Sequence, residues 1–206
     1  LEQFEAQATA QGTHVHWARD AEEACRIIVE IAEDAGARTA VKSKSMVSEE
    51  VHLNDALERA GVEPVETDLG EWIIQLAGET PSHIIVPAIH KTKQQIAELF
   101  TEKVGLAPTD DEKKLTECAR GILRKCFAEA GMGISGANFL IADTGSILLL
   151  ENEGNIRMTT SLPRVHVAIA GIEKILPTTT DLAPFLRLLP RSGTGQHLTT
   201  YQSLIS

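Results

Sequence analysis

Short apolar strand patterns alternate with helical patterns along most of this chain, and no other feature restricts its fold as strongly. Strands separated by helices of ten or more residues form βαβ units, whose strands lie parallel between two layers of helices. The sequence therefore predicts one domain over residues 1–206, an open three-layer α/β/α sandwich with a mostly parallel sheet. Strands are predicted at residues 39–41, 62–66, 83–86 and 166–170, and helices at about 20–36, 48–60, 90–104, 110–130 and 181–189, with another starting at 68.

Local signals fix several boundaries of these elements. Asp20 and Asp68 each stand three residues before a glutamate, which is the capping-box pattern of a helix start. After Gly131 the pattern changes, because apolar runs at residues 139–142 and 146–150 flank a short polar turn. Two such runs predict a β-hairpin in addition to the parallel strands.

The charge balance excludes several classes of partner. The chain has 19 Lys and Arg against 29 Asp and Glu, which gives a net charge of -10. An acidic protein is a poor match for nucleic acid or an anionic membrane surface, because both require concentrated positive charge. No apolar run approaches the roughly 20 residues that cross a bilayer, and the first residues lack the pattern of a signal peptide. We expect a cytoplasmic protein with no nucleic-acid partner and no membrane span.

The three cysteines form no recognisable cofactor or disulfide pattern. Cys25, Cys118 and Cys126 are widely spaced and include no CxxC pair. Zinc sites and iron–sulfur clusters require sets of thiolates at close spacing. We therefore expect free thiols and no cofactor held by this chain.

Polar clusters follow three of the predicted strands. Residues 42–45, Asp68 and residues 87–90 each come directly after an apolar run. In open α/β sheets ligands bind beyond the carboxyl ends of the strands, so these clusters are candidates for one site. The lysines of residues 42–45 suit an anion, although a solvated loop is the commoner role of a short basic run.

A second group of candidates lies in the segment rich in glycine and small polar residues after residue 130. Glycines let backbone N–H groups approach a ligand, while hydroxyl and amide side chains supply neutral hydrogen-bonding groups. Residues 131–136 spell GxGxxG, but they follow a helix and precede a strand, the reverse of the dinucleotide-binding order. The candidate ligand-binding residues are Lys42, Ser43, Lys44, Ser45, Gly133, Ser135, Gly136, Asn138, Thr144, Gly145, Asn152, Gly154, Asn155, Arg157 and Thr160.

The candidate catalytic residues are His90 and Glu153. A histidine or a carboxylate is the usual acceptor for the proton of a hydroxyl group. Both residues have structural alternatives, because His90 stands at a predicted helix start and residues 151–155 fit a simple turn. His166 lies inside an apolar run, where a hydrogen-bonded core histidine is expected rather than a ligand.

Several sequence segments, in the same order, closely resemble the lactate-utilisation (LUD) domain. More narrowly, they resemble the LUD domain of the iron–sulfur, B-type subunit of the lactate-utilisation system. The resemblance covers nearly the whole chain. The segments are residues 42–50 (KSKSMVSEE), 66–71 (ETDLGE), 81–90 (PSHIIVPAIH), 133–138 (GISGAN), 152–155 (NEGN) and 191–196 (RSGTGQ).

The resemblance implies a fold of the NagB/RpiA/CoA-transferase-like group and a role in electron transport. It implies a bacterial cytoplasmic protein that acts with two companion subunits, as an oxidoreductase complex, to oxidise L-lactate to pyruvate. In the B-type subunit a ferredoxin-like module with two [4Fe-4S] clusters normally follows this domain. That module is absent from these 206 residues, so we expect a domain excised from a longer chain.

Three functional hypotheses remain open from the sequence. The first is that the domain binds a small carboxylate or a phosphate-bearing ligand as the substrate-side module of a lactate-oxidising complex. The second is an acyl or coenzyme A transferase, or an isomerase, with Glu151 or Glu153 as the reactive carboxylate. The third is a scaffold without catalytic activity that docks partner subunits.

Overall fold

The computed structural model describes residues 1–83 and 85–206, which form an α/β structure with two β-sheets. The helices are α1 (Glu2–Ala10), α2 (Ala21–Asp34), α3 (Met46–Glu50), α4 (Leu53–Arg59), α5 (Leu69–Ala77), α6 (Lys93–Val104), α7 (Glu112–Glu129), α8 (Asn155–Ser161) and α9 (Leu182–Thr194). The strands are β1 (Thr39–Lys42), β2 (Glu63–Glu66), β3 (Met132–Ser135), β4 (Phe139–Ile141), β5 (Ser146–Glu151), β6 (Val165–Ala168), β7 (Ile175–Leu176) and β8 (Tyr201–Ile205).

The first sheet is parallel throughout and has the strand order β2-β1-β3-β6 among the described residues. One face is covered by α2 and α4, which bury Ile28, Leu53 and Leu57 against it. The other face is covered by α5, α6 and α7, where Trp72 and Phe100 meet edge to face with ring centroids 5.4 Å apart. The sheet therefore lies between two helical layers, and the predicted three-layer α/β class is confirmed.

The predicted hairpin exists, but it belongs to a sheet of its own. Strands β4 and β5 pair antiparallel, and β7 and β8 extend the sheet in the order β7-β4-β5-β8. Helix α1 packs against this sheet through Phe4 and Ala8, and α9 through Leu182. The second sheet with its two helices stands beside the parallel sheet.

Both predicted capping patterns start helices. The side chain of Asp20 accepts a hydrogen bond from the Glu23 N–H, and that of Asp68 accepts one from the Glu71 N–H. The prediction of one helix over residues 48–60 is wrong, because α3 ends at Glu50 and α4 begins at Leu53. Between them His52 has a positive φ of 54°, a left-handed conformation that interrupts a helix.

The strand predicted at residues 83–86 is also wrong. His83, Ile85 and Val86 lie outside any strand, with Ile85 and Val86 exposed, and Ile84 lies outside the described residues. The parallel sheet contains β3 instead, in the glycine-rich segment for which no strand was predicted. The glycine of β3 is a packing residue, because a Cβ on Gly133 would stand 1.9 Å from the carbonyl oxygen of Thr159 in α8.

In the part of the chain that the structure describes, no helix is both long enough and apolar enough to pass through a membrane.

Candidate functional site

A cleft of about 520 Å³ opens between the carboxyl end of β1 and the end of β5. Its volume is in the range of small-molecule sites. Residues next to both sheets form the walls of the cleft. The walls come from the segment after β1, the loop between β3 and β4, and the turn after β5. The sequence-predicted residues that line it are Ser43, Lys44, Ser45, Gly136, Asn138, Asn152, Glu153 and Asn155.

Lys44 is one of the two lysines that line the cleft. Its Nζ donates to the carbonyl oxygen of Ile85 at 3.2 Å and lies 3.5 Å from Oδ2 of Asp68. Both Ile85 and Asp68 also line the cleft. The ammonium is therefore held in place but remains partly exposed, with 24% of its side-chain surface accessible.

The two serines that flank Lys44 differ in their bonding. The hydroxyl of Ser45 accepts from the Ser48 N–H and starts α3. The backbone N–H of Ser43 donates to the carbonyl oxygen of Ile134, which fixes the chain at the end of β1. The Ser43 hydroxyl is buried and has no hydrogen-bond partner among the described residues.

Lys42, predicted to bind ligand, is instead buried beneath the site. Its Nζ contacts Oε1 of Glu66 at 2.7 Å, Oε1 of Glu49 at 3.1 Å and Oδ1 of Asn54 at 2.8 Å. Burial by itself would lower the pKa of Lys42, but the charges of the two glutamates outweigh it and hold the pKa above its ordinary value. Lys42 therefore joins β1 to β2 and α3, and it is not among the residues that line the cleft.

Asn138 and Asn155 connect the cleft walls to the two sheets. The side-chain oxygen of Asn138 accepts from the Leu150 N–H at 2.8 Å, beside the end of β5. The Asn155 amide donates to Oγ1 of Thr67, whose hydroxyl donates to the carbonyl oxygen of Lys42. The amides thus have structural bonds as well as positions on the cleft wall.

Thr144 and Gly145 lie away from the cleft, at the turn of the β4–β5 hairpin. A Cβ on Gly145 would come within 2.3 Å of the backbone nitrogen of Ala8, and φ of Gly145 is +69°. The Thr144 carbonyl oxygen accepts from the side chain of Gln11. This glycine therefore allows helix α1 to pack against the turn.

Gly133 and Ser135 lie within β3 and face neighbouring elements. The Ser135 hydroxyl is 2.8 Å from Nε2 of His166 on the adjacent strand β6. Burial lowers the pKa of His166, so the ring is neutral near pH 7. As predicted for His166, the ring is hydrogen-bonded within the sheet.

Arg157, Gly154 and Thr160 are grouped around α8 and do not line the cleft. The Arg157 guanidinium lies over the ring of Tyr201, 4.8 Å from its centroid, and is exposed. Gly154 precedes α8 with a φ of +79°, and the Thr160 hydroxyl donates to the carbonyl oxygen of Arg157. The guanidinium of Arg157, predicted to bind an anion, thus lies over an aromatic ring outside the cleft.

His90 also lies outside the cleft. Its Nδ1 is 2.6 Å from the hydroxyl of Ser82, and its Nε2 is 2.8 Å from Oε2 of Glu79. Glu79 also pairs with Lys91. These bonds tie the two ends of the segment between α5 and α6 together, so His90 has a structural role here.

Glu153 lies on the rim of the cleft, opposite the start of α5. Its Oε2 accepts from the Leu69 N–H at 3.3 Å. Desolvation at this position, followed by the charge of Asp68, raises the pKa of Glu153. A carboxyl group with a raised pKa at a cleft is a chemically suitable proton acceptor, and the Glu153 side chain is accessible to a ligand.

Glu151 also lines the cleft, although it was not among the predicted ligand-binding residues. Its Oε2 accepts from the Arg157 N–H at 3.2 Å, while its Oε1 is buried and unpaired within the described residues. Lys174, Glu173, Glu50 and Leu189 also line the cleft and were missed. Glu173, Lys174 and Leu189 belong to segments without any ligand-binding motif, so no signal in one sequence could place them at the cleft, whereas Glu50 ends the segment that also carries Lys44.

The described residues offer no cluster that would hold a metal ion. They contain no group of three or more His, Cys, Asp or Glu side chains in a suitable arrangement. The thiols are free, with Cys25 on α2 and Cys118 and Cys126 on α7. These cysteines do not fit an iron–sulfur cluster, which needs close sets of thiolates.

Comparison with known proteins identifies the family. The model of the LUD domain matches residues 1–206. The chain is 46% identical to lactate utilization protein B of Bacillus pumilus over 206 residues, which is 100% of this chain and 44% of that protein. It is 46% identical to lactate utilization protein B of Oceanobacillus iheyensis over 201 residues, 98% of this chain and 42% of that protein.

A third relative is the uncharacterized electron transport protein YkgF of Escherichia coli, 43% identical over 206 residues. These residues are 100% of this chain and 43% of that protein. The chain thus spans less than half the length of these relatives. No solved structure gives a significant match. The chain belongs to the LUD domain family.

Proposed function

We propose that this domain binds a small carboxylate in the cleft as the substrate-side part of a lactate-utilisation iron–sulfur protein. The protein would act with companion subunits to oxidise L-lactate to pyruvate. Two relatives named lactate utilization protein B and one named as an electron transport protein support this proposal. The 206 residues correspond to less than half of each relative.

The position of Lys44 carries the proposal. Its partly exposed ammonium belongs to a residue that lines the cleft together with Ser45, and an ammonium and a hydroxyl in one cleft suit a carboxylate. An incoming carboxylate would replace the contact between Lys44 and the Ile85 carbonyl oxygen, which is neutral. The exchange would give the ammonium a second charged partner besides Asp68, in place of an uncharged one.

The charges around the cleft favour a monocarboxylate over a phosphate-bearing ligand. Two lysines line it, Lys44 and Lys174, against five acidic residues, which are Glu50, Asp68, Glu151, Glu153 and Glu173. A ligand with several negative charges would meet strong repulsion in such surroundings. A ligand with one negative charge can pair with Lys44 and keep its neutral portion near the acidic wall.

Oxidation of a 2-hydroxy acid needs a proton acceptor and an electron acceptor. Glu153 is the proposed proton acceptor, because its pKa is raised and it lies on the cleft rim. The cysteines of this chain do not fit a cluster, so we propose that the [4Fe-4S] groups of the lactate-oxidising system are held outside these 206 residues. Such groups would supply electron transfer when bound there.

Ligand-dependent thermal stability tests this proposal. A ligand at a hundred times its dissociation constant stabilises a protein by about 2.7 kcal/mol. We expect L-lactate and propionate to raise the melting temperature of the chain, and Lys44→Met to remove most of this effect. Lys114→Met, an exposed change on α7, is the matched control. If no monocarboxylate stabilises the unmodified chain, the proposal is wrong.

A second candidate function is acyl transfer, which the free Oε1 of Glu151 favours. A carboxylate held by one oxygen can attack a thioester carbonyl with the other, releasing the thiolate and forming an acyl anhydride. Incubation with acetyl-coenzyme A followed by mass spectrometry would detect an adduct on Glu151. Its absence in both the unmodified chain and Glu151→Gln would leave carboxylate binding as the function.

A further inference from the structure

We infer that Ser43 and Glu151 recognise a ligand hydroxyl group, so that the cleft prefers 2-hydroxy carboxylates over carboxylates without the hydroxyl. This inference rests on the proposed binding of a carboxylate at Lys44. It assigns the recognition of the second functional group of the ligand to two residues from different sheets, one after β1 and one at the end of β5.

Two unpaired, buried polar atoms on residues that line one cleft are the observation behind this inference. Ser43 is 1% exposed and Glu151 is 6% exposed, and both line the cleft. The Ser43 Oγ and the Glu151 Oε1 have no hydrogen-bond partner among the described residues. Buried polar atoms nearly always have partners, so two without them at a cleft indicate that a bound molecule completes their bonding.

Both groups are held in position by bonds that do not use the unpaired atoms. The backbone N–H of Ser43 donates to the Ile134 carbonyl oxygen at 2.9 Å. The other carboxylate oxygen of Glu151 accepts from the Arg157 N–H, and the residue pairs with Tyr201 in the second sheet. A site whose groups are fixed before binding loses little conformational freedom when the ligand enters.

The two free atoms complement an alcohol in hydrogen-bonding capacity. A serine hydroxyl can donate, whereas an ionised carboxylate can only accept. A ligand hydroxyl can accept from Ser43 and donate to Glu151 at the same time. A ketone oxygen can satisfy only Ser43, and a methylene group can satisfy neither residue.

The sequence position of Ser43 connects this pair to the carboxylate site. Ser43 precedes Lys44 directly, so the hydroxyl donor and the ammonium belong to neighbouring residues on the cleft floor. In a 2-hydroxy acid the hydroxyl and carboxylate groups stand on adjacent carbons. Such a ligand can therefore reach both residues, and we expect the order of affinity to be hydroxy acid, then keto acid, then unsubstituted acid.

Calorimetric titration of the 206-residue chain with L-lactate, pyruvate and propionate tests the inference. Sites built to bond a hydroxyl discriminate strongly against analogues that lack it, so we expect lactate to bind at least about tenfold more tightly than propionate. Glu151→Gln and Ser43→Ala should each reduce this ratio towards one, because each removes a partner of the ligand hydroxyl and so weakens lactate binding more than propionate binding. Glu117→Gln on the exposed face of α7 is the control and should keep the full ratio.

The outcomes separate this inference from the proposed function. Equal affinity of the unmodified chain for lactate and propionate would overturn hydroxyl recognition while leaving carboxylate binding intact. A ratio that survives both substitutions would overturn the assignment to Ser43 and Glu151. Absence of binding by all three acids would overturn both proposals. Because Ser43→Ala removes only one buried oxygen, it remains informative if Glu151→Gln fails to fold.

Discussion

Glu71 on α5 is expected to make the stability of this protein depend on pH. The residue is 6% exposed, and its Oε2 has no hydrogen-bond partner among the described residues. Burial, and then the nearby charge of Glu66, raise the pKa of Glu71 from 4.5 to about 8. We therefore expect Glu71 to be largely protonated in the folded protein at neutral pH.

The magnitude follows from linkage between protonation and folding. Because the folded-state pKa is raised, the stabilising effect of the proton is fully present below about pH 4.5 and is lost as pH rises through 8. Each unit of pKa difference corresponds to about 1.4 kcal/mol, so the loss amounts to roughly 3 to 5 kcal/mol. Glu71→Gln cannot ionise, so its stability advantage over the unmodified protein should grow by that amount between pH 5 and pH 9.

Urea unfolding at pH 5, 7 and 9, followed by the fluorescence of the buried Trp72, measures this difference. The control is Glu117→Gln, which changes an exposed glutamate of α7. Its stability should follow that of the unmodified protein at every pH. A difference between Glu71→Gln and the unmodified protein that stays constant from pH 5 to 9 would show that Glu71 ionises normally.

Three further predictions concern packing, buried charge and a helix start. Gly133→Ala should strongly destabilise the protein, because the added Cβ would clash with the Thr159 carbonyl oxygen. Gly121→Ala is the control, because a Cβ there meets open space in α7, and it should stabilise the protein by up to about 1 kcal/mol. Thermal melts of both variants measure the difference. Lys42→Met should lower the free energy of unfolding in urea by about 3 to 5 kcal/mol, because Glu66 and Glu49 lose their cation. A decrease below about 1 kcal/mol would show that Lys42 does not stabilise these carboxylates. Asp20→Ala should lower the free energy of unfolding by about 1 kcal/mol in the same assay, because the Glu23 N–H loses its hydrogen-bond acceptor. An unchanged urea midpoint would argue against a stabilising helix cap at Asp20.

The sequence predicted elements whose signals are local. The capping patterns at Asp20 and Asp68 act within one helical turn, and the β4–β5 hairpin depends on neighbouring residues, so each could be recognised without tertiary information. The break at His52 could not, because its surroundings read as one continuous helix. Strand β3 was not predicted because a glycine and a serine interrupt its apolar residues, and the close approach of α8 that requires this glycine is not visible in sequence.

The candidate site was predictable as a region but not residue by residue. The structure brings Lys44, Asn138 and Glu153 to one cleft, although they come from three separate segments. It places Lys42 in the interior, because the partners that neutralise it come from other elements. One sequence cannot show which of two lysines two positions apart meets a buried carboxylate, nor that the guanidinium of Arg157 meets the ring of Tyr201.

The construction of the cleft from two separately hydrogen-bonded sheets has a mechanical consequence. Ser43 belongs to the end of the parallel sheet and Glu151 to the second sheet, so a molecule held by both would act as a cross-link between them. Such a cross-link would restrain any hinge or sliding motion of one sheet relative to the other. Ligand binding in the cleft would then reduce the motion of surfaces on both sheets that lie far from the bound molecule.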